Sequence, residues 1–203
     1  MVDGRRERGR RTRDSILQAA VQLVPVEGID GVTIGRLASE LGMSKSGLFA
    51  HFGSKEELQL ATIDTAREIF VETVVSPARL AERGLPRLEA LMENWLGYMQ
   101  REVFKGGCFF DAVRSEYNSR PPGPVRDAVW ADFASWSEIL VNRVKAAQAA
   151  GHLDPEADPE QVAYELDALG GAANVRFQLD RDAAWFDRAR ASIHARLEAL
   201  RVY

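Results

Sequence analysis

The amino-acid sequence predicts an all-α protein of about nine helices. Apolar residues recur at intervals of three and four nearly from end to end, and no convincing run alternates apolar and polar residues as a strand requires. Hydrophobic residues make up 46% and charged residues 28% of the 203 residues, which is typical of a globular chain with a sizeable core. We expect a flexible basic arm over 1–10, a three-helix helix-turn-helix domain over 11–54, and a larger helical domain over 55–203.

The first three helices are short and closely spaced. Helix one is predicted over 12–25, because its apolar spacing stops near Pro25 and Gly28, where a helix does not comfortably continue. Two helices of about two turns follow, near 33–41 and 44–51.

The fourth helix begins with a capping box, in which Ser54 and Glu57 each satisfy the other residue's backbone N–H. Its end is predicted at 76–77, where a proline interrupts the pattern. The loop over 84–86 then leads to a fifth helix with a broad apolar face. A short sixth helix is predicted to end near Tyr117.

The last three helices have clear start and stop signals. Pro124 at a first-turn position opens a long helix, and Gly151 closes it. Asp158 and Pro159 mark the next start, as N-cap and first helical residue. Apolar residues at three- and four-residue spacing predict the final helix, which ends at about residue 200.

Composition limits the kind of protein further. A single cysteine, Cys108, excludes intramolecular disulfides and multi-cysteine metal sites and fits a reducing compartment. No segment approaches the roughly 18 uninterrupted apolar residues of a membrane span. His152 and His194 are too isolated in sequence to indicate a metal site. We therefore expect a cytoplasmic protein that has no cofactor, binds no metal and has no membrane partner.

The net charge of −4 argues, taken alone, against a nucleic-acid partner. The charge is unevenly distributed, however. Residues 1–13 contain six arginines against two carboxylates, a local balance of +4, whereas 61–203 carry 17 basic and 22 acidic residues, a balance of −5. The acidity therefore belongs to the C-terminal part, and the basic N-terminal segment is expected to be disordered when free.

Residues 33–52 carry the most informative motif. Two helices of about two turns, joined by a turn that contains Gly42, form a helix-turn-helix arrangement. Gly42 has the conformational freedom to end the first helix, and Ala38 is small where the two helices cross. The residues that face outward at the start of the second helix are short or polar, namely Ser44, Lys45, Ser46 and Gly47.

This pattern favours DNA binding over a simple helical hairpin, although such hairpins are common in all-α proteins. The N-terminal end of the second helix is suited to the major groove, where Lys45 would donate to guanine and Ser46 would serve either type of base. Thr33, beside the free N–H groups of the preceding helix, is suited to a phosphate.

Four segments together resemble the DNA-binding domain of the TetR family of bacterial transcriptional regulators. The resemblance covers about 12–60, and its motifs are residues 33–38, 41–44, 48–52 and 54–58. It implies a homodimer on a DNA operator, a three-helix DNA-binding domain linked by the fourth helix, and a larger helical domain that binds a small effector.

The resemblance also implies DNA-contact residues. It assigns base-facing positions to Lys45, Ser46, Gly47 and Phe49. It assigns positions near phosphates to Thr33, His51 and Lys55.

This chain departs from the family pattern at two positions. Phe49 stands where the family usually has tyrosine, so its ring is expected to pack or to contact a thymine methyl. Gly35 stands where a long polar residue often contributes to binding, and glycine inside a helix costs roughly 1 kcal/mol of local stability.

Because of these departures, we expect DNA affinity to depend more on the basic arm, through Arg8, Arg10 and Arg11. That arm would lie along phosphates or enter the adjacent minor groove. An equally open interpretation is a solubilising tail.

Aromatic and soft apolar residues in the middle helices are compatible with either an ordinary core or a pocket for a small, largely apolar ligand. The resemblance favours a pocket. Its candidate lining residues are Trp95, Met99, Phe110, Tyr117, Trp136 and Asn174.

The last two helices are candidates for pairing between two copies in an antiparallel four-helix interface. The alternative is ordinary packing within one chain. The candidate interface residues are Gly170, Ala173, Ile193 and Leu197.

The expected function is a ligand-responsive transcriptional regulator, a repressor that binds a palindromic operator as a homodimer and is released by its effector. An enzyme is not expected, because the sequence has no nucleophile elbow, no Gly-rich phosphate loop and no His-x-x-x-His pair. The alternative is a small-molecule-binding helical protein or an enzyme that uses a C-terminal cavity without regulating DNA.

Overall fold

The computed structural model describes residues 2–202, with the side chains of residues 2, 3 and 5 excepted. Within that range the chain is helical and forms no strand beyond an isolated bridge between Leu153 and Arg201, which confirms the all-α prediction. The helices are α1 Val2–Glu27, α2 Ile34–Leu41, α3 Lys45–Phe52, α4 Lys55–Phe70, α5 Leu85–Gln100, α6 Phe109–Tyr117, α7 Pro124–Ala149, α8 Pro159–Asp180 and α9 Ala184–Glu198.

The chain forms two compact units that are not contiguous in sequence. Unit 1 comprises Met1–Glu68 and Phe104–Ala131, and unit 2 comprises Ile69–Val103 and Asp132–Tyr203. The sequence predicted one boundary after residue 54. The structure instead groups α6 and the start of α7 with the helix-turn-helix.

Helix α1 is longer at both ends than its apolar pattern predicts. Its buried face, which includes the fully buried Ile16, Ala20 and Val24, belongs to the core of unit 1. Pro25 lies inside the last turn, and Gly28 ends the helix with φ 77° and an N–H that donates to the Val24 carbonyl at 2.9 Å. The predicted stop near Gly28 is thus confirmed.

The basic segment that was predicted as a flexible arm is helical in the structure from residue 2 onward, because α1 already begins at Val2. Arginine is a good helix former, and Glu7 pairs with Arg11 at 2.6 Å one turn along the helix. Thr12 Oγ1 also donates to the Arg8 carbonyl at 3.0 Å. Arg8, Arg10 and Arg11 are exposed on this helix, whereas the side chain of Arg5 lies outside the described ones.

The start of α4 matches the prediction in one half of its capping box. Ser54 Oγ accepts the Glu57 N–H at 3.0 Å. The Ser54 N–H, which the box would direct to Glu57, instead donates to the Phe52 carbonyl at 2.7 Å.

The break predicted at 76–77 does not occur there. Beyond α4 the chain continues as a π-helical segment, Val71–Val75, and a short helical turn, Ser76–Ala78. Pro77 has no N–H to donate, and the wider π turn that precedes it accommodates this loss without unwinding the helix. The helix ends only in the loop that leads to Gly84, whose φ is 91°.

The core of unit 2 is built around aromatic rings on α4, α5 and α7. The Trp136 ring lies 5.0 Å from that of Trp95 and 5.3 Å, edge to face, from that of Phe70. Gly170 on α8 is required here, because a Cβ at that position would collide with the Trp95 ring. Within residues 2–202, no helix is both long enough and apolar enough to span a bilayer.

Candidate DNA-binding site

The geometry of the helix-turn-helix follows directly from its local sequence. Gly42 ends α2 with φ 63°, and its N–H donates to carbonyls of the preceding turn. Ser44 is the N-cap of α3, and its Oγ accepts the Gly47 N–H at 3.1 Å. Leu48 is fully buried and anchors the inner side of α3.

Three predicted base-facing residues form what we call the outer face of α3. Lys45, Ser46 and Phe49 are all exposed, and half of the Phe49 surface is accessible to solvent. This face presents an ammonium group, a hydroxyl and an apolar ring, which together match guanine, any polar base edge and a thymine methyl.

The structure gives Gly47 a different reason for being glycine. A Cβ at this position would lie 3.0 Å from Ser44 Oγ, the atom that caps α3. Gly47 therefore allows the cap to form tightly. It contributes no side chain of its own to a base.

Gly35 is explained by the residue that lies over it. A Cβ at Gly35 would be 3.4 Å from Lys45 Cε and 3.7 Å from its Nζ. Thr33 caps α2, and its Oγ1 accepts the Arg36 N–H at 3.1 Å while its hydroxyl proton remains able to donate. The ammonium group of Lys45, the hydroxyl of Thr33 and the start of α2 thus converge, as a phosphate would require.

The other two predicted phosphate contacts have partners within the chain. Lys55 Nζ donates to the Asp30 carbonyl at 2.8 Å and lies 3.5 Å from its Oδ1. His51 is half-buried in the last turn of α3, and its ring centroid is 6.5 Å from that of Phe52. The Arg13 guanidinium lies over the Phe52 ring, 5.1 Å from the ring centroid.

The loop before α2 is held by a set of residues that the sequence did not reveal. The Asp30 carboxylate accepts from Gln59 Nε2 at 3.1 Å, from the Tyr117 hydroxyl at 3.0 Å and from Arg120 at 3.0 Å. With Lys55, these residues form what we call the Asp30 network. Burial raises the pKa of Asp30, but the bonds from Gln59 and Tyr117 and the charges of Lys55 and Arg120 together bring that pKa below its usual value.

The Glu116 side chain holds the same loop by binding the loop's backbone N–H groups. Its two carboxylate oxygens accept the N–H groups of Ile29 at 2.7 Å and Asp30 at 3.0 Å. Burial and the bond to Asp30 raise the pKa of Tyr117 to about 12, so its phenol stays protonated and donates. Helices α4 and α6 therefore both hold the loop that positions the helix-turn-helix.

The predicted effector residues belong to both units. Trp95, Met99 and Asn174 are buried in unit 2, where Trp136 Nε1 donates to Asp167 at 2.9 Å. Phe110 and Tyr117 belong to unit 1. Tyr117 serves the Asp30 network there, and the Phe110 ring packs 5.3 Å from that of Phe109.

The predicted dimer residues are covered by the chain's own helices. Gly170 and Ala173 on α8 are buried, as are Ile193 and Leu197 on α9, so none of the four is available to a second copy. The apolar face of α8 that stays exposed is a different stripe. Its exposed residues are Tyr164, Ala168, Ala172, Val175 and Leu179.

One group of potential metal ligands is not recognisable from the sequence, because its members are far apart along the chain. Glu89 on α5 and His194 and Glu198 on α9 have ligand atoms within 4.8 Å of one another. The Arg201 guanidinium lies at the same place, with nitrogens 3.0 Å from a Glu198 carboxylate oxygen and 4.0 Å from a Glu89 carboxylate oxygen. A guanidinium therefore already pairs with both of these carboxylates. Elsewhere, burial raises the pKa of Cys108, which keeps that thiol unreactive.

Comparison with known proteins agrees with this geometry. The family described as "Bacterial regulatory proteins, tetR family" matches residues 16–62, and the one described as "Tetracyclin repressor-like, C-terminal domain" matches residues 84–193. The chain is 26% identical over 184 residues to the HTH-type transcriptional regulator TcmR of Streptomyces glaucescens, covering 88% of this chain and 78% of that one.

Solved structures share the whole fold. A TetR transcriptional regulator from Chloroflexus aurantiacus J-10-FL superposes with a TM-score of 0.89 at 25% identity, over 97% of this chain and 100% of that one. AibR, solved in complex with isovaleryl coenzyme A and operator DNA, superposes with a TM-score of 0.72 at 21% identity, over 89% and 97% of the two chains.

The capped α2 and α3 and the exposed outer face of α3 define a helix-turn-helix DNA-binding protein. The chain belongs to the TetR family of transcriptional regulators. Its relatives are regulators and not enzymes, and the resemblance read from residues 12–60 is confirmed.

Proposed function

We propose that this protein is a homodimeric repressor that acts in the cytoplasm, binds a palindromic operator through the outer face of α3, and is released by a small, largely apolar effector. The observation that carries the proposal is the exposure of Lys45, Ser46 and Phe49 on a helix whose opposite side is anchored by the buried Leu48. A rigid helix that presents polar and apolar groups outward fits the major groove.

Backbone contacts would add affinity without sequence information. Lys45 lies over Gly35 beside the Thr33 hydroxyl, so it is placed to serve a phosphate as well as a base. Arg8, Arg10 and Arg11 would add long-range attraction along a helix instead of an extended arm. Lys55 and His51 are secondary candidates, because Lys55 is already bonded to Asp30.

The apolar stripe on α8 supports the dimer. Leu179 is 82% exposed, Tyr164 70% and Val175 56%, and an isolated chain gains nothing from exposing three large apolar side chains on one face. A two-fold axis would bury this stripe twice, and binding to a palindromic operator would require the two α3 helices to lie about 34–36 Å apart, one turn of DNA.

The Asp30 network supports a route for the effector's signal. Helices α4 and α6 both hold the loop before α2, so a shift of either helix changes the position of the helix-turn-helix. We place the effector among the aromatic residues of unit 2, near Trp95 and Trp136. An effector that favours the shifted state would weaken operator binding about 5- to 150-fold.

DNase protection of the region upstream of the protein's own gene tests the proposal. We expect two protected half-sites related by two-fold symmetry, about one turn apart or a multiple of it. Cellular extract fractions that contain the effector should remove the protection. A protein that protects no fragment at low salt would contradict the proposed function.

The oligomeric state provides a second test. We expect the wild-type chain to sediment as a dimer at micromolar concentration, and the double variant Val175→Glu, Leu179→Glu to sediment as a monomer, because charges would be buried twice in the interface. The matched control is Leu80→Glu, which changes a leucine that is 90% exposed and is not one of the stripe residues. A dimer in all three proteins would exclude the stripe as the interface.

A further inference from the structure

Three side chains that can bind a metal ion meet between α5 and α9 of unit 2. Glu89 comes from α5, and His194 and Glu198 come from α9. Each offers one ligand atom, a carboxylate oxygen or an imidazole nitrogen, and the three atoms lie within 4.8 Å of one another. We call these three residues the Glu–His–Glu cluster.

The register of α5 against α9 brings the cluster together. Arg190 on α9 binds both carboxylate oxygens of Glu93 on α5, from Nε at 2.8 Å and from Nη2 at 3.0 Å. Glu89 lies four residues before Glu93, and His194 lies four residues after Arg190, so each is one helical turn from this pair on the same face of its helix. The bidentate ion pair therefore holds Glu89 beside His194.

The spacing of the two ligands on α9 also suits a metal ion. His194 and Glu198 are four residues apart, so their side chains leave the same face of the helix in consecutive turns. Helical proteins commonly build metal sites from side chains on facing helices, with a carboxylate and an imidazole from neighbouring turns of one helix. Glu89 supplies the ligand from the facing helix.

A cavity of about 240 Å³ adjoins the cluster, and Glu89 and His194 help to line it. Four of its other lining residues are buried apolar side chains, namely Met92, Leu96, Ile193 and Leu197. Charges beside an apolar wall are less well screened, which strengthens their attraction to a cation. The cavity also leaves room for water to complete the coordination of an ion that has three protein ligands.

The ligand side chains are able to close on an ion. Among the described residues, no donor or acceptor forms a hydrogen bond with the Glu89 carboxylate or the His194 imidazole. His194 is exposed and Glu89 is half-buried, so both have space to rotate. Ligand atoms around a tetrahedral zinc ion lie about 3.5 Å apart, which small side-chain rotations would reach from the observed separation.

Arg201 is the cation that a metal ion would have to displace. Its guanidinium lies 3.0 Å from a Glu198 oxygen but 4.0 Å from the nearest Glu89 oxygen, which is too long for a hydrogen bond. The Arg201 backbone is held by a bridge to Leu153, whereas its side chain is exposed. A long exposed side chain can move its charged end into solvent while the backbone stays in place.

We propose that the Glu–His–Glu cluster binds a divalent transition-metal ion of the zinc class, and that Arg201 balances the two carboxylates until the ion displaces it. A doubly charged ion that bonds to all three ligand atoms attracts the carboxylates more strongly than one guanidinium does. The imidazole determines the class of ion, because zinc accepts nitrogen ligands whereas magnesium and calcium take oxygen. The site lies in unit 2 and does not depend on the proposed operator binding.

Calorimetric titration of the untagged protein with zinc chloride at neutral pH tests this site. We expect one zinc ion per chain, and His194→Gln and Glu89→Gln should each lower the affinity about tenfold or more. His194 is exposed, so its variant keeps the test valid even if Glu89→Gln disturbs folding. The matched control is Glu102→Gln, which removes the same charge from a carboxylate that is paired with Arg181 at 2.7 Å. This control should bind zinc like wild type.

Arg201→Gln distinguishes the proposed site from incidental binding to an acidic surface. Because this variant lacks the competing cation, we expect its zinc affinity to rise about two- to fivefold, which corresponds to the loss of one exposed ion pair. Arg181→Gln, which changes the net charge equally, should bind zinc like wild type. Unchanged or weaker binding by Arg201→Gln would overturn the proposal. No binding by wild type, or equal binding by wild type and both ligand variants, would overturn it as well.

Discussion

The outer face of α3 and the loop before α2 lie in the same unit, yet their residues are held in opposite ways. Lys45, Ser46 and Phe49 project from a helix positioned by contacts on its other side. Asp30, in contrast, is held by donors from α4, from Tyr117 at the end of α6 and from the segment after it. The outer face of α3 presents side chains to a partner, whereas the Asp30 network holds the loop from which the helix-turn-helix begins.

The difference shows which substitutions should separate binding from stability. A residue that only projects outward is replaceable without loss of folding free energy. A residue that accepts several hydrogen bonds inside the unit contributes to that free energy and leaves its donors unsatisfied when it is removed. We therefore expect the two regions to respond oppositely to substitution.

The largest stability effect is expected at Asp30. Asp30→Ala removes the acceptor for Gln59, Tyr117 and Arg120, and we expect a loss of about 1–3 kcal/mol in the free energy of unfolding by urea. The control is Asp64→Ala, which removes an exposed pair with Arg67 and should change stability by about 0.5 kcal/mol or less. Equal losses in both variants would contradict the role of the network.

Glu116 should give a somewhat smaller loss. Glu116→Gln retains one acceptor oxygen but replaces the second, so one of the N–H groups of Ile29 and Asp30 loses its partner. We expect about 1 kcal/mol in the same urea experiment. A loss as small as that of a surface substitution would show that water replaces the bond without cost.

Acid should remove the contribution of the Asp30 charge. The native pKa lies below the ordinary value of 3.8, so this contribution is fully present above that value and is lost as the pH falls through the native pKa. The difference in unfolding free energy between wild type and Asp30→Asn should therefore be constant from pH 7 to pH 5 and shrink below pH 4. A difference that stays the same at the lowest pH where both proteins fold would contradict this account.

The smallest effect is expected at the junction of the two regions, Gly35. Gly35→Ala should stabilise α2 by about 1 kcal/mol or less, because alanine is the better helix former. Its Cβ would lie 3.4 Å from Lys45 Cε and displace that side chain slightly. We expect a small rise in melting temperature with a few-fold weaker DNA binding, measured by calorimetry and fluorescence anisotropy.

Local signals predicted much of the fold and of the outer face of α3. Gly42, Ser44 and Ser54 define helix ends through bonds to residues two to four positions away, so their roles are visible in the sequence. The length of α1 and the π segment before Pro77 were not visible, because arginine-rich and proline-containing segments allow more than one outcome.

Long-range contacts set the limit of that prediction. Asp30 and Tyr117 are 87 residues apart, and no local pattern distinguishes a phenol that supports a loop from one that lines a pocket. The small residues on α8 were ambiguous in the same way. Gly170 and Ala173 fit a helix interface between two copies, but in the structure they face the chain's own core. The periodicity identified an interacting face, and only the structure shows which partner covers it.

The most direct test of the central claim measures DNA affinity and stability of one variant together. For Lys45→Ala, Phe49→Ala, we expect operator affinity, by fluorescence anisotropy on the protected fragment, to fall about 100-fold, since two base contacts at roughly 1–3 kcal/mol each are lost. Its melting temperature should match that of wild type, and Lys145→Ala should bind like wild type. Unchanged affinity in the double variant would contradict the assignment of the outer face of α3 as the DNA-reading surface.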